Sequence, residues 1–244
     1  MTDQMNPLIG PPTNPYDNSV HAIYKPKGIT SAKFLNHVKL ILGIKKMGHA
    51  GTLDPNATGI LVIGTGRSTK LLNQYMLKEK TYVATIMLGS TSDTMDDCGV
   101  KTWVSDTIPD QQSVIDTINR FIGTIDQIPP RYSAILINGK RAYDLARRNQ
   151  EFTMQSRKVT VHAIDCIQYQ YPIIRIKVRC SSGTYIRSLA NDLGNLMGTG
   201  AYLLDLERTV CGGFEIKDCL DLTDINLLSG EGLDQDSFNC PIHE

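Results

Sequence analysis

The stretch GHAGTLDPNATG, residues 48–59, decides how the rest of the sequence is interpreted. It contains three glycines, one histidine and an aspartate followed by a proline, with no basic residue and no cysteine. Glycines and an Asp-Pro pair are typical of a tight turn, because glycine tolerates left-handed backbone angles and proline fixes φ. Two interpretations of Asp54 are therefore open on local grounds: a residue that shapes a turn, or a reactive carboxylate that a substrate can reach.

The composition describes an ordinary globular protein. The chain has 244 residues, of which 41% are hydrophobic and 20% charged, enough to bury a sizeable core. No run approaches the roughly 18 apolar residues of a membrane helix, and the N-terminus has no signal pattern, so we expect a cytoplasmic protein without a membrane partner. The six cysteines never form a C-x-x-C pair, which argues against a zinc site and predicts reduced thiols rather than structural disulfides.

The net charge of zero conceals an uneven distribution. Residues 215–244 hold eight acids and one base, so the preceding 214 residues carry a net charge of +7. Residues 131–158 alone hold seven bases against two acids. A basic body followed by an acidic tail is compatible with a polyanionic partner, although an ordinary solvated surface explains the same numbers.

Apolar periodicity predicts an α+β fold. Helical spacing covers residues 30–43, 113–123 and 184–198, with Thr30 or Ser31 as N-cap and Gly43 as the stop of the first helix. Extended patterns alternate with these helices, at residues 20–28, 60–64, 80–89, 157–170 and 172–183. Because there is no regular βαβ alternation, a doubly wound parallel sheet is not expected.

Two motif-like stretches do not have the spacing that their chemistry requires. GTGRSTK, residues 64–70, lacks the G-x-x-x-x-G-K-[ST] spacing of a phosphate-binding loop. DTMDDCG, residues 93–99, resembles a calcium loop, but Met95 and Cys98 interrupt the ligands and Val104 stands where the closing acid belongs. No serine or cysteine lies in a known nucleophile context.

Six blocks in order resemble the TruB family of tRNA pseudouridine synthases, from about residue 20 to 225. They are KPKGITS (25–31), GHAGTLDPNATGILVIGTGRSTK (48–70), KTYVATIMLG (80–89), IPPRYSAILINGKRAYDLAR (128–147), CSSGTYIRSLANDLG (180–194) and TGAYLLDLERTVCGGF (199–214). The resemblance implies the pseudouridine synthase catalytic fold, a mixed and mostly antiparallel central sheet flanked by helices. It also implies isomerisation of the T-loop uridine, at position 55 of tRNA, to pseudouridine after base flipping, without metal or cofactor.

The resemblance implies four catalytic residues. Asp54 matches the family's essential aspartate, which attacks C1′ or C6, or removes the 2′ hydrogen in a glycal-type route; these routes stay open. Arg187 matches the arginine that keeps this carboxylate ionised. Tyr82 matches the tyrosine that receives the flipped base, and Tyr185 a second tyrosine beside the aspartate–arginine pair.

The resemblance also implies residues that bind the substrate. His49 matches a histidine that contacts the T-loop, Asp96 a supporting acid, Leu206 an apolar wall, and Lys25 with Pro26 the floor of the site. The basic stretch matches a thumb-like insertion, about 124–158, that closes over the T-stem-loop. Its expected phosphate contacts are Arg131, Lys140, Arg141, Arg147 and Arg148.

The expected organisation is a flexible lead-in (1–18), a catalytic domain (19–228) and an acidic, disordered tail (229–244). The C-terminal PUA domain of typical relatives is not expected, so an isolated T-stem-loop is expected to bind nearly as well as whole tRNA. We expect a monomer that needs no protein partner. Two alternatives are a noncatalytic tRNA-folding chaperone and the guide-RNA-dependent Cbf5/dyskerin branch, which has the PUA domain and lacks the insertion.

Overall fold

The computed structural model describes residues 14–221. Within that range the fold has five α-helices, listed in chain order as α1 to α5: Ser31–Leu42, Leu72–Leu77, Gln111–Asn119, Ala142–Arg147 and Ile186–Met197. Its thirteen strands, β1 to β13, are Val20–Lys25, Met47–Ala50, Thr58–Thr65, Lys80–Leu88, Ser90–Ser92, Lys101–Trp103, Gly123–Gln127, Leu136–Ile137, Lys140–Arg141, Arg157–Gln170, Ile173–Cys180, Ala201–Cys211 and Phe214–Glu215. Short 3₁₀ segments cover Gly66–Leu71 and Ile216–Asp218.

A nine-stranded sheet organises the fold. Its main order is β1-β3-β12-β4-β11-β10-β7, with β2 added beside β3 and β13 beside β12. The β12–β3 pair is parallel and every other pair in this sheet is antiparallel. The predicted α+β class with a mixed, mostly antiparallel sheet is therefore confirmed.

Helices α3 and α5 cover one face of this sheet. Alternate residues of β4 and β11 point at these helices, and the four elements share one apolar core that includes Ile86, Ile176 and Leu189. A second core lies under α1, where Phe34 and Val38 pack against β1 and β3. Burial of such side chains stabilises the fold by about 1.5–3 kcal/mol each, so the two cores hold α1 and α5 on either side of the loop between β2 and β3.

The ends of α1 follow the local signals in the sequence. Thr30 is the N-cap, and its hydroxyl accepts a hydrogen bond from the Lys33 amide at 3.2 Å. Gly43 ends the helix with φ of 64°, a left-handed angle that glycine adopts without a steric penalty. These caps confirm the predicted start and stop of the helix.

The insertion expected at about 124–158 begins inside the sheet. Residues 128–156 connect β7 to β10, and they contain the β8–β9 hairpin and α4. Residues 14–18 of the predicted lead-in are hydrogen bonded to the body, for example through Asn18 Oδ1 and the Arg67 amide at 2.8 Å. The rest of the lead-in and the predicted tail, 229–244, lie outside the described residues.

Among the five cysteines within residues 14–221, one departs from the sequence prediction. Cys166, Cys180, Cys211 and Cys219 are free thiols. Cys98 is disulfide-bonded, so the prediction of reduced thiols throughout is wrong there. Spacing along the sequence does not report which thiols the fold brings within bonding distance.

Candidate active site

Asp54 and Arg187 form an ion pair at the N-terminal end of α5. Arg187 Nε lies 3.0 Å from Asp54 Oδ2, and Nη2 donates a hydrogen bond to Oδ1 at 3.3 Å. The Nε–H does not point at an acceptor in the described chain, so the 3.0 Å contact is an ion pair without hydrogen-bond geometry. The arginine side chain is 5% exposed and the aspartate 42%. The carboxylate is thus paired on one side and accessible on the other.

Arg187 also contacts three further acceptors. Its Nη1 donates to Asp96 Oδ2 at 3.3 Å and to the Thr94 carbonyl at 3.4 Å, and its Nη2 donates to the Tyr132 carbonyl at 2.9 Å. Burial raises the pKa of the Asp96 carboxyl, while the Arg187 charge opposes that rise. The planar guanidinium therefore connects three loops, and a second carboxylate offsets its burial.

Both neighbours of Asp54 in the chain are fixed to the segment that follows β1. The Leu53 amide donates to Ser31 Oγ at 2.9 Å, and the same hydroxyl donates back to the Leu53 carbonyl at 3.0 Å. The Pro55 carbonyl accepts from the Gly28 amide at 2.9 Å and from Lys25 Nζ at 3.1 Å. Asp54 therefore both shapes a turn and presents its carboxylate, because its main chain is held on each side.

Lys25 is an interior residue. Its side chain has no exposed surface, and its ammonium also donates to the carbonyls of Pro26 and Ile29 at 2.7 and 2.8 Å. Burial lowers its pKa to about 8; Asp54 opposes this shift and Arg208 adds to it. Lys25 consequently carries a positive charge at neutral pH. Its ammonium lies beneath the Asp54 loop and is hydrogen bonded to the turn that contains Pro26.

A cleft with about 300 Å³ of free space opens beside the ion pair. It is lined by Asp54, Asn56, Ala57, Asp96, Asp97, Arg187, Leu203, Leu204, Asp205 and Leu206. The sequence-predicted residues that meet here are thus Asp54, Arg187, Asp96 and Leu206. Within residues 14–221 no group of histidines, cysteines and acids is arranged to hold a metal ion.

Tyr82 lies in the core behind this cleft. It is 9% exposed and packs in the cluster that includes Leu53, Ala57 and Leu206. Burial raises the pKa of its phenol to about 12, and the Arg208 guanidinium beside it opposes the rise. The phenol is therefore protonated at neutral pH.

Arg208 is a buried cation that the sequence analysis missed. It is 1% exposed, and it donates to the carbonyls of Ile60 at 2.7 Å and Gly51 at 3.1 Å. Its burial could have been predicted, because successive side chains of a strand point to opposite faces of the sheet. Arg208 lies two residues after the buried Leu206 in β12, so both side chains point to the same face. Asn56 was also missed; its amide donates to Cys98 Sγ at 3.0 Å and lines the cleft.

Tyr185 and His49 are not among the residues that line the cleft. The Tyr185 ring stacks under the Arg157 guanidinium at 4.9 Å. His49 is in β2, half-buried, and its Nδ1 has no hydrogen-bond partner in the described part of the chain. Burial lowers the pKa of His49, and Arg208 adds to the effect, so its ring is neutral at pH 7.

The five predicted phosphate contacts are all exposed on the insertion. Arg131 stacks on Phe152 at 4.9 Å, and Arg147 lies 5.8 Å from the Tyr143 ring. Arg141 donates to the Ala134 carbonyl, while Lys140 and Arg148 flank α4. These residues form a basic surface on the segment that also supplies the Tyr132 carbonyl to Arg187.

The fold is that of a pseudouridine synthase, and it brings together the aspartate–arginine pair that the resemblance implies. The model of the TruB family pseudouridylate synthase N-terminal domain matches residues 39–186, and the chain belongs to this family. A tRNA pseudouridine synthase B from Clostridium tetani is 45% identical over 210 residues, covering 86% of this chain and 73% of the relative. One from Bacteroides thetaiotaomicron is 40% identical, covering 81% and 87%.

Solved structures with lower sequence identity to this chain also have a similar fold. A Cbf5-Nop10-Gar1 complex contains a chain that is 27% identical, with a TM-score of 0.69, covering 92% of this chain and 59% of that one. An H/ACA RNP bound to a substrate RNA containing 2′-deoxyuridine gives 25% identity and a TM-score of 0.64, covering 86% and 52%. The chain thus spans somewhat more than half the length of these solved chains.

Proposed function

We propose that this protein isomerises the T-loop uridine at position 55 of tRNA to pseudouridine. The observation that carries the proposal is the Asp54 carboxylate, which is paired with a buried arginine on one side and faces a cleft on the other. The curated relatives named above are tRNA pseudouridine synthases B, each matched over more than two thirds of its length. A binding protein without catalysis has no need of such a carboxylate.

Asp54 is the residue that acts on the substrate. In one route its carboxylate attacks C1′ of the ribose and displaces N1 of the uracil, or adds to C6 of the uracil; in the other it removes the 2′ hydrogen as the N1–C1′ bond breaks. In each route the uracil then turns, C5 joins C1′, any bond to Asp54 breaks again, and the hydrogen on C5 is lost to solvent. Both routes need the ionised form at the moment of reaction. The Arg187 charge favours that form when an uncharged base displaces water from the cleft.

The remaining roles are proposed from their location and chemistry. Leu206 supplies an apolar wall to the flipped base, and Asp96 holds Arg187 from the side opposite Asp54. Tyr82 lies behind this wall as a neutral phenol and receives the base as the side chains around it move; Tyr185 contributes from the start of α5. His49 contacts the T-loop, and Lys25 with Pro26 supports the loop that carries Asp54.

The exposed arginines and lysine of the insertion bind the phosphates of the T-stem-loop and provide affinity without base readout. The catalytic unit extends over 19–228 and includes this insertion. It acts in the cytoplasm as a monomer without a protein partner. Analytical ultracentrifugation of the full chain tests this, and a dimer at micromolar concentration contradicts the monomer.

Tritium release from a T-stem-loop transcript labelled at C5 of its uridines tests the activity. The wild-type chain is expected to release the label from one uridine per transcript, and Asp54→Asn to bind the transcript without releasing it. Asn has nearly the same shape as Asp but supplies neither a nucleophilic carboxylate nor a base.

The same assay separates the alternatives. A noncatalytic tRNA-folding chaperone binds the transcript and releases no label from either chain. A guide-dependent enzyme of the Cbf5 branch releases label only when a guide RNA is added. The tRNA-specific relatives are 38–45% identical to this chain and the Cbf5-containing chain 27%, so the guide-dependent alternative is not favoured.

A further inference from the structure

Gln127, the last residue of β7, is completely buried and bonded to the start of α5. Its Nε2 donates to the Tyr185 carbonyl at 3.0 Å, and its Oε1 accepts from the Tyr185 amide at 2.8 Å. Tyr185 is the N-cap of α5, and its hydroxyl makes no cap hydrogen bond to the helix. The Gln127 amide is therefore the partner of the Tyr185 N–H and a second donor to the Tyr185 carbonyl, which also accepts from the Leu189 amide at 3.1 Å.

Two further contacts join the same segments. Ser188 Oγ, in the first turn of α5, donates to the Ile128 carbonyl at 2.7 Å. Arg187 Nη2 donates to the Tyr132 carbonyl at 2.9 Å. Residues 127–132 thus run along the first turn of α5 and contact it at Tyr185, Arg187 and Ser188.

An amide is the side chain that this position requires. A carboxamide donates and accepts at once, whereas an apolar side chain of equal size does neither. The Tyr185 amide N–H would then lose its partner, whereas the Tyr185 carbonyl keeps the hydrogen bond from the Leu189 amide at 3.1 Å. The chain before α5 would shift to bring that N–H to another acceptor. Arg187 is two residues further along the chain. Its nitrogens lie 3.0 and 3.3 Å from the Asp54 oxygens, so a small shift of the chain lengthens these contacts.

We propose that Gln127 is a positioning residue for catalysis, which sets the first turn of α5 and with it the Arg187 guanidinium on Asp54. The inference rests on the proposed function of the site. The connection between β7 and the insertion then has two roles: it carries the proposed RNA-binding residues, and it positions Arg187. Gln127 acts on the rate of the chemical step through Arg187, and it does not touch the substrate.

Gln127→Met tests the proposal, because methionine matches the volume of glutamine and makes no hydrogen bond to Tyr185. Single-turnover tritium release at saturating enzyme is expected to be 10- to 100-fold slower, since misplacement by about 1 Å has effects of that size. The Kd for the T-stem-loop is expected to stay within about twofold of the wild-type value. An unchanged rate, or a change in Kd alone, overturns the proposal.

A double-mutant cycle with Arg187→Met distinguishes positioning of Arg187 from general loosening of the fold. If Gln127 acts through Arg187, adding Gln127→Met to Arg187→Met slows release by less than threefold. A full additional 10- to 100-fold loss in the double variant overturns the proposal.

Ser188→Ala and Thr199→Val complete the experiment. Ser188→Ala removes a single hydrogen bond between the same two segments, and it decides the question if Gln127→Met does not fold. It is expected to slow tritium release about threefold or more at unchanged Kd. A wild-type rate of release for Ser188→Ala overturns the proposal. Thr199→Val removes a buried hydroxyl at the other end of α5, bonded to the Gly200 carbonyl at 3.0 Å, and is expected to leave the rate unchanged. An equal slowing by Thr199→Val overturns the proposal.

If the wild-type chain itself releases no tritium, the proposed function fails, whereas an active wild type with an equally active Gln127→Met contradicts the positioning role alone.

Discussion

At the scale of single residues, the site is built from charges buried to unequal extents. Arg187 is almost fully buried and Asp54 is not, so the cost of desolvation falls mainly on the arginine. A buried guanidinium is tolerated when it is paired and hydrogen bonded, and here its two terminal nitrogens donate to two carboxylates and two carbonyls. The aspartate gains a fixed counter-charge and keeps a solvent-facing side for the reaction.

Replacing Arg187 by lysine should reveal the value of this planar group. A lysine ammonium is a single point of charge, so it cannot contact Asp54, Asp96 and the Tyr132 carbonyl together. We expect the single-turnover rate to fall about 100-fold, which is ~2.7 kcal/mol of lost transition-state stabilisation. Arg175→Lys, at an exposed position of β11, is the control. A rate for Arg187→Lys within threefold of wild type would show that charge alone suffices.

Lys25 should make stability depend on pH in the alkaline range. Its pKa is about 8 in the folded chain and 10.5 when unfolded, so between these values the unfolded chain binds more protons. Its contribution to the free energy of unfolding is therefore smallest below pH 8 and rises towards pH 10.5, by about 3 kcal/mol at most. Urea unfolding of the wild type and Lys25→Met from pH 7 to 10 measures this.

The difference between the two chains isolates Lys25 from other groups that titrate in this range. Wild type is expected to gain stability relative to Lys25→Met as the pH rises from 8 to 10. A constant difference across that range would mean that Lys25 titrates at its ordinary value in the folded chain.

At the scale of elements, the ends of helices were predictable and their neighbours in space were not. Thr30 and Gly43 predicted where α1 begins and ends, because caps are local signals. The order of the sheet has no such signal: β12 lies between β3 and β4 although more than 100 residues separate it from both in sequence. Asp54 and Arg187 are 133 residues apart, and only the resemblance to a family brought them together before the structure did.

Gly194 shows how closely α5 packs on β12. A Cβ added there would lie 2.2 Å from the Ala201 amide nitrogen, which is backbone and cannot move aside. In an exposed helix, Gly→Ala stabilises by about 1 kcal/mol. Here we expect Gly194→Ala to destabilise by about 2 kcal/mol or more, because overpacking forces the helix from the sheet.

Urea unfolding checks this prediction against Asn195→Ala, the exposed neighbour in the same helix turn. The control is expected to be neutral or slightly stabilising, as helix propensity dictates. Equal stabilisation by both substitutions would mean that α5 can move away from β12 without loss.

At the scale of the whole molecule, charge distribution matters more than net charge. The formal net charge is zero, yet residues 131–148 place five exposed bases on the insertion. The composition of the sequence predicted this basic surface. It did not predict that Lys25, Arg187 and Arg208 are buried, because charged residues are ordinarily exposed and a count does not distinguish buried bases from exposed ones. Counting charges thus identifies the basic surface that we propose faces RNA, but not the interior cations around the site.

Reversing Arg147 and Arg148 to glutamate tests whether that surface binds the T-stem-loop. Each lost phosphate contact should reduce the slope of log Kd against log salt by about 0.7–0.9. We expect binding about tenfold weaker or more at low salt, and a slope smaller by about 1.5 for the pair. Filter binding from 50 to 200 mM salt measures both quantities, and a thermal melt confirms that the exposed substitutions leave the fold intact.

The matched control carries the same change in charge at a different place. Arg175 and Lys177 are exposed on β11 and alternate with Ile174, Ile176 and Val178, which face α3 and α5, so the two bases lie on the opposite face of the sheet. Reversing both to glutamate changes the net charge as much as the insertion variant does. If net charge governed affinity, the two variants would bind equally weakly; if the insertion contacts the phosphates, the control keeps its salt slope. An insertion variant that keeps the wild-type slope as well would exclude Arg147 and Arg148 from the RNA-binding surface.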